Sequence, residues 1–343
     1  MEMRGFCSAA LLLSLTFALF SALIVVPSTA LGFTCSSSTT TCESLIDYVS
    51  PNDTTLANIA SLFSVTNFYN LLGANSYPLS TSPNQSFAAN NTIKIPFPCS
   101  CSNGTGISNK VPVYTVQPGD NLDHIAVDVY SRLVTYQEIA QVNNIADPSL
   151  IQLGQKLWIP LQCSCDKVGG NQVVHYGYVV ANGSTVSQIA AEYGTDVNTL
   201  LSLNGMSSAN QLLANQVLDV PLKVCTSSVS GKSQDYPLLV ANGTYTLTAY
   251  NCIKCSCQSS NNFTLQCEPS QLVKPSNISQ CPSMKCNDGL LIGNTSSCVT
   301  CAYAGYYNTT ILSTLNNLNT GTCSAFFGRI FDSHPVNALS FEK

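Results

Sequence analysis

The sequence predicts an α+β fold: three tandem βααβ modules stapled by disulfides, followed by a cysteine-rich, loop-rich segment. Three observations predict it. First, Tyr48, Tyr114 and Tyr178 head copies of one frame with a period of about 65 residues. In register behind them stand Leu56, Leu122 and Val186, then Ile59, Ile125 and Ile189, each isoleucine followed by alanine. Second, each copy closes alike, as "IKIPFPC", "LWIPLQC" and "LDVPLKVC". Third, sixteen of the 17 cysteines lie after residue 32, with Cys35 and Cys42 ahead of the first copy and C-x-C pairs between copies.

The chain opens with Arg4 and the apolar run "FCSAALLLSLTFALFSALIVV", and small residues end at Ala30 or Gly32. This reads as a signal peptide over residues 1–32. The run is about as long as a membrane span, but cysteines and glycosylation sequons begin directly after it. Ten N-x-S/T sequons follow, headed by Asn52, Asn84, Asn90, Asn103, Asn182, Asn242, Asn262, Asn277, Asn294 and Asn308. An even set of cysteines with so many sequons describes a secreted, disulfide-bonded glycoprotein.

Within the middle copy, residues 112–161, Leu122, Ile125, Ala126 and Val129 fall at i, i+3, i+4 and i+7, the stripe of an amphipathic helix. Val134 to Val142 gives a second helix with Ile139 inward, and "NNIADPS" ends it. The first copy, 44–98, is the most divergent; the third spans 175–222. Pro96, Pro160 and Pro221 cap the closing strands, because a proline cannot donate to a ladder. A unit of about 50 residues buries a thin core, which explains the "CSC" pairs at Cys99–Cys101 and Cys163–Cys165. So tight a ring is strained, so each cysteine is expected to reach a different module. Residues 225–323 lack a helix period. Their "CIKCSC" and "CVTC" could be halves of a zinc ribbon, but in a secreted chain they read as disulfides. The tail 324–343 is charged and has no apolar run of the kind a lipid-anchor signal needs.

"YTVQPGDNLDHIA…NNIADPSLIQLGQKLWIP" resembles a lysin-motif (LysM) module along its whole length. Three tandem copies separated by C-x-C resemble the kinase-less plant chitin elicitor-binding and LysM-domain GPI-anchored group, from about Cys35 to Cys323. The resemblance implies a sugar groove between the first strand–helix loop and the second helix–strand loop. In the middle module these are Gly119, Asp120, Asn121 and Leu122, facing Ile145, Ala146, Asp147, Pro148, Leu150 and Ile151. It also implies the pairs Cys35–Cys101, Cys42–Cys165 and Cys99–Cys163. As function it implies non-catalytic recognition of chitin in plant innate immunity, with a LysM receptor kinase as partner and a ligand-bridged homodimer as one mode of action. A secreted chitin scavenger, a peptidoglycan-binding protein and a wall hydrolase are the alternatives. The implied location is the outer face of the plasma membrane when lipid-anchored, and secretion for the tail as it stands.

The residues bear on these expectations independently. Only 9% are charged and the net charge is −5, so a basic footprint for nucleic acid or anionic lipid is excluded. N-acetylglucosamine is uncharged, and its recognition needs backbone groups on tight loops with a few aliphatic contacts. Gly119 and the Asp147–Pro148 turn supply such backbone. Asp120 reads as part of a helix N-cap region, no paired carboxylate suggests a glycosidase, and His124, His175 and His334 show no metal spacing. No catalytic residue, metal ligand or cofactor is expected. Trp158 alternates with Leu157 and Ile159 and is expected to pack on a neighbouring element. No sequon lies between Asn103 and Asn182, whereas Asn52 and Asn182 occupy the corresponding loops of the outer copies. The middle module is therefore expected to be the principal binding site.

Overall fold

The structure, a computed structural model, describes residues 32–36, 41–272, 281–296 and 298–317. The expected signal peptide apart from Gly32, together with Asn277, Cys323, His334 and the 324–343 tail, lies outside them.

Three strand–helix–helix–strand units follow one another. The first runs Thr41–Val49, α1 (Leu56–Leu62), α2 (Phe68–Ala74) and Thr92–Ser102. The middle unit runs Val113–Thr115, α3 (Leu122–His124), α4 (Tyr136–Val142) and Lys156–Trp158. The third runs Val173–Val179, α5 (Val186–Tyr193), α6 (Val197–Leu203) and Val217–Lys223. Polar side chains start the helices where the apolar stripe begins. Thr55, Asn121 and Thr185 cap the first helix of each unit by accepting from an N–H three residues on.

One asparagine recurs in all three units without having announced itself in the sequence. Asn143, at the C-cap of α4, donates to Ile139 O (2.8 Å) and to Trp158 O (2.7 Å), and its Oδ1 accepts from Trp158 N–H (2.9 Å). Asn75 does the same to Leu71 and Lys94, and Asn204 to Leu200 and Asp219. Each clamp ties a carbonyl in the last turn of the second helix to both backbone groups of one residue on the closing strand.

The units are joined through the sheet as well as through disulfides. Thr41–Val49 pairs antiparallel with Thr92–Ser102 and parallel with Val173–Val179, placing Leu45 opposite Tyr176 and Ile46 opposite Gly177. The first and third units thus share one sheet, while the middle unit keeps a separate two-stranded one. Gly177 permits the close approach: a Cβ there would press within 2.9 Å of Ile46 Cγ1. The middle unit joins the first through edge-on rings, Tyr48 to Phe63 at 4.9 Å and Phe63 to Tyr130 at 5.5 Å. The buried Tyr130 hydroxyl donates to Leu62 O at 3.1 Å.

Three expectations are corrected. The closing strands do not stop at their prolines in the outer units; Pro96 and Pro98 lie inside Thr92–Ser102, and Pro221 inside Val217–Lys223. Residues of the same parity show why: the N–H of Lys94 and that of Asp219 point outward to the asparagine clamp. Pro96 and Pro221 therefore lack a donor only on the side the ladder does not use, and Pro98 still accepts from Asn109 N–H at 2.8 Å. The first helix of the middle unit continues past His124 as a π-helix, Ile125–Val129, and the second starts at Tyr136, because Thr135 and Glu138 form a capping box there. Residues after 225 are not loop-rich throughout. They form three-stranded sheets, Thr244–Thr248 with Ile253–Cys257 and Gln266–Pro269, and Thr295–Ser296 with Val299–Tyr307 and Thr310–Asn317.

Disulfide Cys35–Cys101 ties the chain before the first unit to that unit's closing strand, while Cys42–Cys165 and Cys99–Cys163 tie its two outer strands to the linker after the middle unit. Cys225–Cys257, Cys252–Cys281, Cys255–Cys267 and Cys286–Cys301 hold the last segment, and Cys298 is disulfide-bonded as well. Among the described residues, every cysteine of this segment is disulfide-bonded. That segment lies on α2: a side chain at Gly73 would run into Tyr245 O, and Tyr245 OH donates to Tyr77 O at 2.6 Å.

Two buried polar groups sit at the seam of the shared sheet. Asp47 accepts from Tyr176 OH (2.5 Å) and Val179 N–H (3.2 Å), and burial pushes its carboxyl up to about 6. His175 lies 2.9 Å from Asp219 Oδ1 and 2.8 Å from Asp166 O. Burial works against its charged form, but these acceptors together hold its pKa above the ordinary value. No helix among the described residues is long and apolar enough to cross a membrane.

Candidate carbohydrate groove

The middle unit's two expected groove loops start from a shared anchor. Val116 N–H donates to Gln155 O and Gly154 N–H to Val116 O, both at 2.9 Å. From there the near loop turns at Gly119, whose φ of +89° favours glycine and whose Cβ direction is open. Asp120 fixes that turn by accepting from Gln117 N–H (2.6 Å) and Tyr114 OH (2.8 Å). Its partners in this turn, and the neighbouring Asn121 cap to His124 N–H at 2.8 Å, make Asp120 a positioning group next to the cap. Gly119, Asp120 and Asn121 border a cleft of about 350 Å³ with His124 and Asp128, but none of the expected far-loop residues lines it, so it is not the space between the two loops.

On the far loop, Asp147 Oδ1 accepts from Ser149 N–H (2.9 Å) and Oγ (2.7 Å), which holds its carboxyl below the usual range. Leu150 N–H closes the turn on Asp147 O at 3.0 Å. Ala146 and Asp147 are exposed, Pro148 half-buried, and Leu150 keeps 69% of its surface open. Ile145 and Ile151 are half-buried against the core, and Leu122 is 1% exposed. Leu122 can therefore offer a ligand only its backbone. Leu153, 71% exposed on the same loop, went unnoticed in the sequence; its only signal is an apolar residue between Gln152 and Gly154.

The third unit repeats the anchor, Val180 N–H to Gln216 O (2.9 Å) and Asn215 N–H to Val180 O (2.8 Å). It differs in carrying the exposed sequon residue Asn182 on its near loop. The first unit differs more. Its loops pair with each other, Thr54 opposite Phe87 and Thr55 opposite Ser86. Leu56 and Ala57 N–H donate to Gln85 O and Pro83 O, and Ala89 N–H to Asp53 Oδ1 at 2.8 Å. The crevice between these loops is occupied by the chain's own backbone ladder.

Trp158 stands on the closing strand with its neighbours Leu157 and Ile159 fully buried; its Nε1–H donates to Ser108 Oγ at 3.2 Å. That contact is with the linker between units, as its alternation implied. His124 Nδ1 lies 2.9 Å from Asp128 Oδ2.

The sequence profile of the LysM domain matches residues 114–160 and 178–221. The chain is 48% identical over 317 residues to LysM domain-containing GPI-anchored protein 2 of Arabidopsis thaliana, covering 92% of this chain and 89% of that one. It is 46% identical over 306 residues to the chitin elicitor-binding protein of Oryza sativa subsp. japonica, covering 87% and 84%. Over 147 residues it is 27% identical to chitin elicitor receptor kinase 1 of Physcomitrium patens, covering 42% and 22%. With near half identity along almost the whole of both chains, the protein belongs to the LysM domain-containing GPI-anchored protein family of plants.

Proposed function

We propose that this chain is a non-catalytic, extracellular pattern-recognition protein that binds chitin oligomers, chiefly through the middle unit. The observation that carries the site is the contrast among loops. The first unit's are laddered together, the third's bear a sequon, and the middle unit's are neither laddered nor sequon-bearing. Chitin as the ligand class is supported by the relative named for chitin elicitor binding. The recurring asparagine clamp supports reading the first unit as a third LysM module whose loops have diverged. Disulfides throughout the described chain fit an oxidising compartment outside the cell.

Binding to such a shallow groove falls at about 1 mM to 1 μM per site. Two proteins on one chitin chain gain avidity without new protein contacts. A LysM receptor kinase is the partner this reading supplies for signalling, consistent with the similarity to a receptor kinase named for the same elicitor. Calorimetric titration of the glycosylated ectodomain with chitin oligomers and, separately, with peptidoglycan fragments tests the reading. Saturable binding of chitin with no release of reducing sugar is expected. Binding of peptidoglycan alone would replace the ligand, and sugar release would overturn the non-catalytic assignment.

A further inference from the structure

We propose that the cleft between the first and middle units seats the first N-acetylglucosamine of a glycan carried on Asn52, so that carbohydrate cements the two units together. Asn52 heads the sequon Asn52–Asp53–Thr54, is exposed, and lines a cleft of about 380 Å³, within the roughly 300–1,000 Å³ range of small-molecule sites. The walls come from both units. Asn58 and Leu62 belong to the first, and His124, Asp128 and Val129 to the middle one.

The lining has the chemistry an uncharged amide sugar needs. Leu62 and Val129 present aliphatic surface to a ring face, while Asn58, His124 and Asp128 present donors and acceptors to hydroxyl and acetamide groups. The attachment point is held in place: Ser50 Oγ donates to Asn52 O at 2.7 Å, Ala89 N–H binds the next residue's carboxylate, and Thr54 lies in the ladder. A covalently attached sugar also pays little of the association entropy that a free one would. Because the ladder already closes the first unit's crevice, a glycan at Asn52 has no open groove there to shield. Its position against His124 and Asp128 makes it a bridge.

The test uses the ectodomain secreted from a eukaryotic host, mapped for glycopeptides and followed by hydrogen–deuterium exchange. Three forms are compared: intact, trimmed by an endoglycosidase to the single proximal N-acetylglucosamine, and Asn52→Gln. Carbohydrate on Asn52 is expected, with equal protection of residues 122–129 in the first two forms and severalfold faster exchange in the third. Thr54→Ala, which keeps the asparagine but removes the sequon, should match Asn52→Gln, and Asn84→Gln should match the intact protein. An unmodified Asn52, equal protection in every form, or an Asn84→Gln effect as large as that of Asn52→Gln would overturn the proposal. No chitin enters the measurement, so its failure is separate from failure of the binding assignment.

Discussion

Asn75 in the first unit and Asn143 in the middle unit make the same three hydrogen bonds, yet the loops they support diverge. In the first unit a long far loop returns to pair with Thr54 and Thr55. In the middle unit the loops meet only at Val116, and Leu150 and Leu153 stand in solvent. The lesson is that the buried clamp and helix stripe define the scaffold in both units, whereas the loops differ in whether their backbone groups are spent on each other, the difference on which the proposed binding site rests. A ladder satisfies those groups internally.

The comparison can be broken most severely at the joint between the two units. Phe63→Ala removes a 1%-exposed ring wedged between Tyr48 and Tyr130. A loss of about 3–5 kcal/mol is expected in chemical unfolding, with the first and middle units destabilised together. If only the first unit loosened, the shared core would not be what couples them.

The clamp itself sharpens the comparison, because it should be worth the same in both places. Asn75→Ala and Asn143→Ala each delete three hydrogen bonds, and a cost of about 3 kcal/mol is expected for either. Unequal losses measured by thermal unfolding would mean that the scaffolds differ as well as the loops.

Acidity separates the outer pair of units from the middle one. Asp47 titrates at about 6 when folded and near 3.9 when unfolded. The native state therefore binds the extra proton between those values, and stability falls as pH rises through them. His175, raised above its ordinary value, contributes stability that is complete below about 6.5 and is lost as pH rises through its folded value. Unfolding free energy should be about 2 kcal/mol greater at pH 4 than at pH 7 from Asp47. Asp47→Asn should flatten that slope, while the pH dependence of chitin affinity at the middle unit should not follow it.

Much of this skeleton was legible in the sequence, for a physical reason: Leu122, Ile125 and Ala126 had to be apolar at helical spacing, and they are buried. The clamp asparagines were not legible, because they stand 27, 29 and 26 residues after their tyrosines and so fall out of register. The ladder was hidden because Thr54–Thr55 and Ser86–Phe87 are too short to show alternation. Pairing of the first and third units' strands depends on Leu45 meeting Tyr176 across 131 positions. Of the groove, the turns at Gly119 and Asp147 were visible as chemistry. The burial of Leu122 and the exposure of Leu153 depend on packing that no local pattern carries.

The most direct test is titration of chitin oligomers into the glycosylated ectodomain and its Leu150→Asp variant, with Asn182→Gln alongside. Leu150 is exposed and away from the core, so the fold should survive the charge. Affinity at least tenfold weaker, about 1.4 kcal/mol, is predicted for Leu150→Asp, and a second binding equivalent for Asn182→Gln. Unchanged affinity in Leu150→Asp would contradict the claim that the middle unit's open loops are the site.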